Sequence, residues 1–161
     1  MKMETGAVSK STRRQFVALA LISLSCNTAR AKALSSIKIY KDPNCACCTQ
    51  WADHLKENRF PVQIENSDDL QSLKASFGIT PELMSCHTAL IESYVIEGHV
   101  PAHAIRRLLE ERPDATGIAV PGMPVGSPGM EGGEIETYSV ILFGRAGRRQ
   151  MFGRYRGASP A

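Results

Sequence analysis

The run Asn44-Cys45-Ala46-Cys47-Cys48 limits this chain more than any other feature. Before it, Ser36 to Lys41 alternates apolar and polar side chains, which predicts a half-buried strand. Asp42-Pro43-Asn44 is turn chemistry. After it, Trp51 and Leu55 recur at helical spacing through Asn58, so the cysteines open a helix. The remaining pattern continues this alternation. Pro61 to Glu65 predicts a strand, and Ser67 or Asp68 caps a helix that runs to Phe77 and ends at Gly78. Thr80 to His87 predicts a loop or short helical turn, Thr88 to Ile96 a third strand, and Pro101 to Arg112 a helix. Gly117 to Gly133 reads as a long Gly/Pro loop, of a length that in a small domain is functional or disordered. Tyr138 to Phe143 predicts a strand, with Arg149 to Tyr155 pairing back on it as a hairpin that buries Met151. Strands alternating with helices give an α/β sandwich around a mixed central sheet.

The first 31 residues stand apart. They hold five basic residues, Lys2, Lys10, Arg13, Arg14 and Arg30, and one acid, Glu4. An apolar run from Phe16 to Cys26 follows the arginine pair, and Ala29-Arg30-Ala31 fits the small-x-small rule for signal-peptide cleavage. The run falls short of the ~20 apolar residues that span a bilayer. Residues 1–31 are therefore read as an export signal cleaved near Ala31, and 32–161 as one periplasmic domain that does not span the membrane. Thr12 to Val17 resembles a twin-arginine motif; the other route is a Sec signal that holds two arginines. Of the 161 residues, those beyond position 31 include 14 basic and 15 acidic ones, so the net charge of +3 belongs to the leader. A near-neutral domain without a basic stripe is not built to bind nucleic acid.

Four cysteines remain after cleavage: Cys45, Cys47, Cys48 and Cys86. In an oxidising compartment four cysteines ordinarily mean two disulfides. Here the spacing points elsewhere. Cys45 and Cys48 have Cys-x-x-Cys spacing on a strand-turn-helix, as in thioredoxin-like proteins. Free N–H groups and the helix dipole favour thiolate there. A dithiol enzyme has no use for Cys47 between the pair, since a third thiol invites scrambled pairing. A metal site gains a ligand from it. Cys86, followed by His87, completes four ligands if its loop folds over the helix start, as the corresponding loop does in thioredoxin-like folds.

Thiolate and thioether ligands select copper(I), zinc or iron–sulfur clusters. Zinc has little use for thioethers and fits less well. Met123 and Met130 both lie in the Gly/Pro loop and join the candidate ligands, with His87 and His99. Met84 also lies in a loop. His54 reads as a surface residue and His103 as an exposed or capping one.

Several separated motifs then carry a resemblance: Asp42-Pro43-x-Cys45-x-Cys47-Cys48-x-x-Trp51, Cys86-His87-Thr88, Glu97-Gly98-His99-Val100-Pro101, and Val120-Pro121-Gly122-Met123-Pro124 followed by Gly126-Ser127-Pro128-Gly129-Met130-Glu131. Together they resemble the CopG-type periplasmic copper-resistance proteins, long classed only as a domain of unknown function. The likeness runs from about Ser36 to Tyr155. It implies a thioredoxin-like fold adapted to copper, with the family's cysteines falling on Cys45, Cys47, Cys48 and Cys86. It implies copper(I) as the ion, held singly or in a thiolate-bridged cluster, and other envelope copper-handling proteins as partners. Whether the chain stores copper or changes its oxidation state is left open. The alternative is a periplasmic thiol-disulfide oxidoreductase using Cys45 and Cys48.

Overall fold

The alternating segment ahead of the cysteines is a strand in the computed structural model, which describes residues 34–161. The predicted signal at 1–31, with Arg13-Arg14, Cys26 and the cleavage site, lies outside the described residues. The elements in chain order are β1 (Ile37–Lys41), α1 (Ala46–Glu57), β2 (Val62–Asn66), α2 (Leu70–Ser76), β3 (Thr88–Ile91), β4 (Tyr94–Glu97), α3 (Ala102–Glu111), β5 (Gly117–Ala119), β6 (Thr137–Phe143), β7 (Arg149–Arg156) and β8 (Ser159–Pro160). Single 3-10 turns at Pro81–Leu83 and Arg145–Gly147 punctuate the loops.

The strands form one mixed sheet of order β2-β1-β3-β4-β5-β6-β7-β8 among the described residues. β1 runs parallel to β2, and β4 to β5; the other neighbours are antiparallel. The expected α/β class and mixed sheet are both present. Ile39, Ala89, Ile96 and Ile118 sit in register across four strands. They are fully buried with Trp51, Ala52 and Leu55 of α1 and Ala104, Ile105 and Leu108 of α3. Each large aliphatic side chain among them contributes ~1.5–3 kcal/mol by leaving water. The opposite face packs Val95, Ala119 and Phe143 against Ile79, Leu83 and the end of α2.

Four expectations are corrected. Thr88 to Ile96 is two strands, reversing at Glu92-Ser93 with Glu92 at φ 52. Both strands are buried on both faces, so no alternation marks the reversal. Gly117–Ala119, expected as loop, pairs with β4 and β6. The helix cap expected at 67 or 68 is Asp69, whose carboxylate accepts the Ser72 N–H. Met151, expected in the core, is 58% exposed, because β7 turns that face to solvent.

Candidate metal centre

β1, β4 and β5 run the same way, and the site lies beyond their C-terminal ends, where α/β sheets leave a crevice. β1 delivers the turn 42–44 and the start of α1. Cys45 is the N-cap of α1, and its sulfur accepts the Cys48 N–H at 3.3 Å where a serine or aspartate oxygen would ordinarily do so. Lys41 is buried and donates from Nζ to the carbonyls of Asp42 (2.7 Å) and Pro43 (3.2 Å), which fixes the turn. The loop before β3 brings Cys86 and His87. The residues after β4 bring His99.

The four cysteines converge with all sulfurs within 4.8 Å of one another. Cys45 and Cys48 are joined as a disulfide, with Cα atoms 5.4 Å apart, and Cys47 and Cys86 are free. Sulfur to sulfur, Cys45–Cys47 is 3.5 Å, Cys47–Cys86 3.9 Å and Cys48–Cys86 3.6 Å. Cys86 also belongs to a second group, with His87 Nδ1 at 3.2 Å and His99 Nε2 at 3.0 Å.

Hydrogen bonding assigns the His99 tautomer. Its Nδ1 is 2.8 Å from Pro128 O. A carbonyl can only accept, so Nδ1 carries the proton and Nε2 presents its lone pair to the Cys86 sulfur. This is how imidazole ligands of metals are usually held, with the second nitrogen bonded to a carbonyl. His87 is fully buried, its ring 4.3 Å from the Trp51 ring and 4.9 Å from that of His99. His87 Nε2 has no hydrogen-bond partner among the described residues. The nitrogen beside the sulfurs is Nδ1, so Nε2 lies on the far side of the ring from Cys86. Burial holds His87 well below the usual imidazole value, helped by His99, Lys74 and Lys41. Burial also lowers His99, against the Pro128 bond and Glu131. Both rings are thus neutral, the form that ligates. Burial and the neighbouring Cys47 push the Cys86 thiol up to about 12, against the Ser85 hydroxyl. Soft sulfur and neutral imidazole at this spacing fit a soft metal ion.

The Gly/Pro loop is ordered against the site. Gly129 has φ +84, and a Cβ there would stand 2.7 Å from Cys47 O and 2.8 Å from Trp51 N. Only glycine lets this backbone lie on the first turn of α1. Met130 follows it and is half-buried, whereas Met123 is 52% exposed beside Gly122, whose carbonyl accepts the Ser85 hydroxyl. Met84 is half-buried, and its carbonyl accepts the Gly122 N–H. His103 is exposed, its ring 6.4 Å from that of Tyr155.

Sequence reasoning missed Lys74, Glu97 and Ser85, whose bonds underlie the Cys86 loop. The available signal was a charged residue, Glu97, ending an apolar strand. It also misplaced His54, which is half-buried and accepts the Ala102 N–H at 3.1 Å, capping α3 where Pro101 has no side-chain cap to offer. Burial lowers the His54 pKa from 6.5, with Glu57 and Glu131 opposing. The unfolded chain therefore takes up this proton more readily than the fold. Stability carried by His54 is complete above about pH 6.5 and declines as pH falls below it. The metal-free protein should show a lower urea midpoint at pH 5.5 than at pH 7.5, with a smaller difference in His54→Gln. An equal difference in parent and variant would mean that the cap does not titrate.

Residues 83–130 match a family described as protein of unknown function, DUF411. No curated protein matches the chain. Two solved structures are similar. One is copper resistance protein copG, form 2, at 41% identity and TM-score 0.72, covering 76% of this chain and 98% of that one. The other is form 1 of the same protein, at 42% identity and TM-score 0.72, covering 77% and 99%.

Proposed function

The chain belongs to the CopG-type copper-resistance family, and from that premise we propose that it is an exported protein that holds copper as copper(I) on Cys45, Cys47, Cys48 and Cys86 and is redox-active toward it. The observation that carries this reading is the shared position of Cys86. Its sulfur stands within 3.9 Å of two other cysteine sulfurs and within 3.2 Å of two neutral imidazole nitrogens. Copper(I) accepts both ligand types. Thiolates this close can bridge several ions, and Met123 and Met130 sit on the loop that closes the site.

We read β1-α1-β2-α2-β3-β4-α3 as a thioredoxin-like core, extended by β5 to β8. On that core the Cys45–Cys48 pair supplies electrons. The reduced dithiol gives one electron to each of two copper(II) ions, forming the disulfide and two copper(I) ions and releasing two protons. While that pair is reduced all four cysteines hold copper(I); once it is oxidised, Cys47, Cys86 and the histidines remain to hold the product. Residues 1–31 act as the export signal, and the site of action is the periplasm.

Mixing fully reduced protein with two equivalents of copper(II) without oxygen tests this reading. Two copper(I) ions per chain should appear with a colorimetric chelator, and two thiols, Cys45 and Cys48, should be lost. No copper(I), or loss of Cys47 and Cys86 instead, would sink it. The disulfide at the start of α1 favours one other reading, thiol-disulfide exchange with a protein substrate. That activity would persist in metal-free Cys47→Ser and Cys86→Ser variants.

A further inference from the structure

Beneath the Cys86 loop lies a charged pair that the copper site does not itself use. Lys74 on α2 is 2% exposed and Glu97 at the end of β4 is 0% exposed. Lys74 Nζ is 2.5 Å from Glu97 Oε1 and donates to Thr88 Oγ1 at 3.0 Å. The Ser85 N–H donates to Glu97 Oε1 at 2.6 Å, and the Thr88 hydroxyl donates to Oε2 at 2.6 Å. Ser85 and Thr88 flank Cys86-His87. One carboxylate therefore grips both ends of the segment that presents the shared sulfur and the buried imidazole. From Glu97 the chain passes through Gly98, whose N–H donates to His87 O at 3.0 Å, directly to His99. Gly98 has φ +74, and a Cβ there would lie 2.6 Å from the Ser85 side chain and from Val120 O, so the two segments touch backbone to side chain.

Stability alone does not call for this arrangement. Taking both charges out of water is costly, and well-packed apolar residues often serve the fold as well or better. A carboxylate has a distinct ability: two oxygens that accept several hydrogen bonds in fixed directions. We propose that Glu97, with Lys74 as its buried counter-charge, is a positioning residue that holds Cys86 and His87 in the geometry that takes copper(I). This rests on the copper reading above. It adds that the Cys86 segment is set by a rigid strut, whereas the site's other cysteines are set by the start of α1.

The test is a double-mutant cycle on the mature chain, reduced and anaerobic, with copper(I) affinity read by chelator competition. Lys74→Met with Glu97→Leu removes both charges and strands neither. The expected variant melts within a few degrees of the parent without metal, yet binds copper(I) about tenfold more weakly. The loss should shrink when Cys86 is already serine, because the strut acts chiefly through that sulfur, with His87 carrying the remainder. Cobalt(II) as a probe should show a weakened sulfur-to-metal charge-transfer band in the same variant. Unchanged affinity with Cys86 present would overturn the proposal, as would an equal loss with and without Cys86. If the paired variant does not fold, Glu97→Gln, which keeps the shape, goes through the same cycle, and either of those two results overturns the proposal there as well. If Cys86→Ser alone leaves affinity unchanged, the strut proposal fails while the copper reading stands; if the parent itself takes up no copper(I), the copper reading fails, and the strut with it.

Discussion

Replacing Cys86 by serine should lower copper(I) affinity by about a hundredfold or more, since even outer-shell changes at metal sites cost 10–100-fold. Cys86 is the only residue common to both ligand groups. It is also the only cysteine of the four that does not come from the start of α1, so no neighbour in sequence can replace it. A serine hydroxyl is a hard, weakly acidic group that copper(I) does not favour. The fold should tolerate the change, since Cys86 is only half-buried and belongs to neither hydrophobic cluster. Chelator competition on the reduced protein, beside a melting curve of the metal-free form, separates the two effects. A loss below tenfold would show that Cys45, Cys47 and Cys48 suffice and that the convergence of the Cys86 loop is incidental.

Trp51→Ala should cost the metal-free protein ~3–5 kcal/mol of stability. That is a large share of the ~5–15 kcal/mol that holds an ordinary domain folded. Trp51 is fully buried, its indole N–H donates to Val100 O at 2.9 Å, and its ring lies against His87. Truncation opens a cavity between α1 and the sheet, strands a buried carbonyl and removes the wall behind the imidazole. Trp51→Phe keeps most of the volume and loses the hydrogen bond, so its cost should be nearer ~1–2 kcal/mol. Urea unfolding of the two variants measures both. A cost below ~1 kcal/mol for alanine would mean that the core collapses around the gap and that neither the packing of Trp51 nor its hydrogen bond carries the weight assigned to it.

Trp51 also marks where the sequence was legible. Its spacing from Leu55 gave α1, and the alternation in Ile37–Lys41 gave β1, because in both cases one face meets the core and the other meets water. The same contrast revealed α3 and the β6–β7 hairpin. It failed at Glu92-Ser93, where strands buried on both faces read as one, and at Gly117–Ala119, where three residues in a glycine-rich stretch pair with strands far away in sequence. Nothing local in the sequence sets Lys74 apart from an exposed helix lysine. Its burial depends on Glu97 and Thr88, which reach it only when the sheet forms.

The sequence by itself determined that three cysteines would crowd the start of one helix, since their spacing and the turn before it are local. It also determined the family, through motifs spread from Asp42 to Glu131. Tertiary structure alone decided that Cys86 is shared between thiols and imidazoles, and that Pro128 sets the His99 tautomer. It decided as well that the Gly/Pro loop lies on α1 and that a buried carboxylate grips the Cys86 segment. Each of these is a contact between residues distant in the chain, and such contacts leave no periodic trace for a local pattern to reveal.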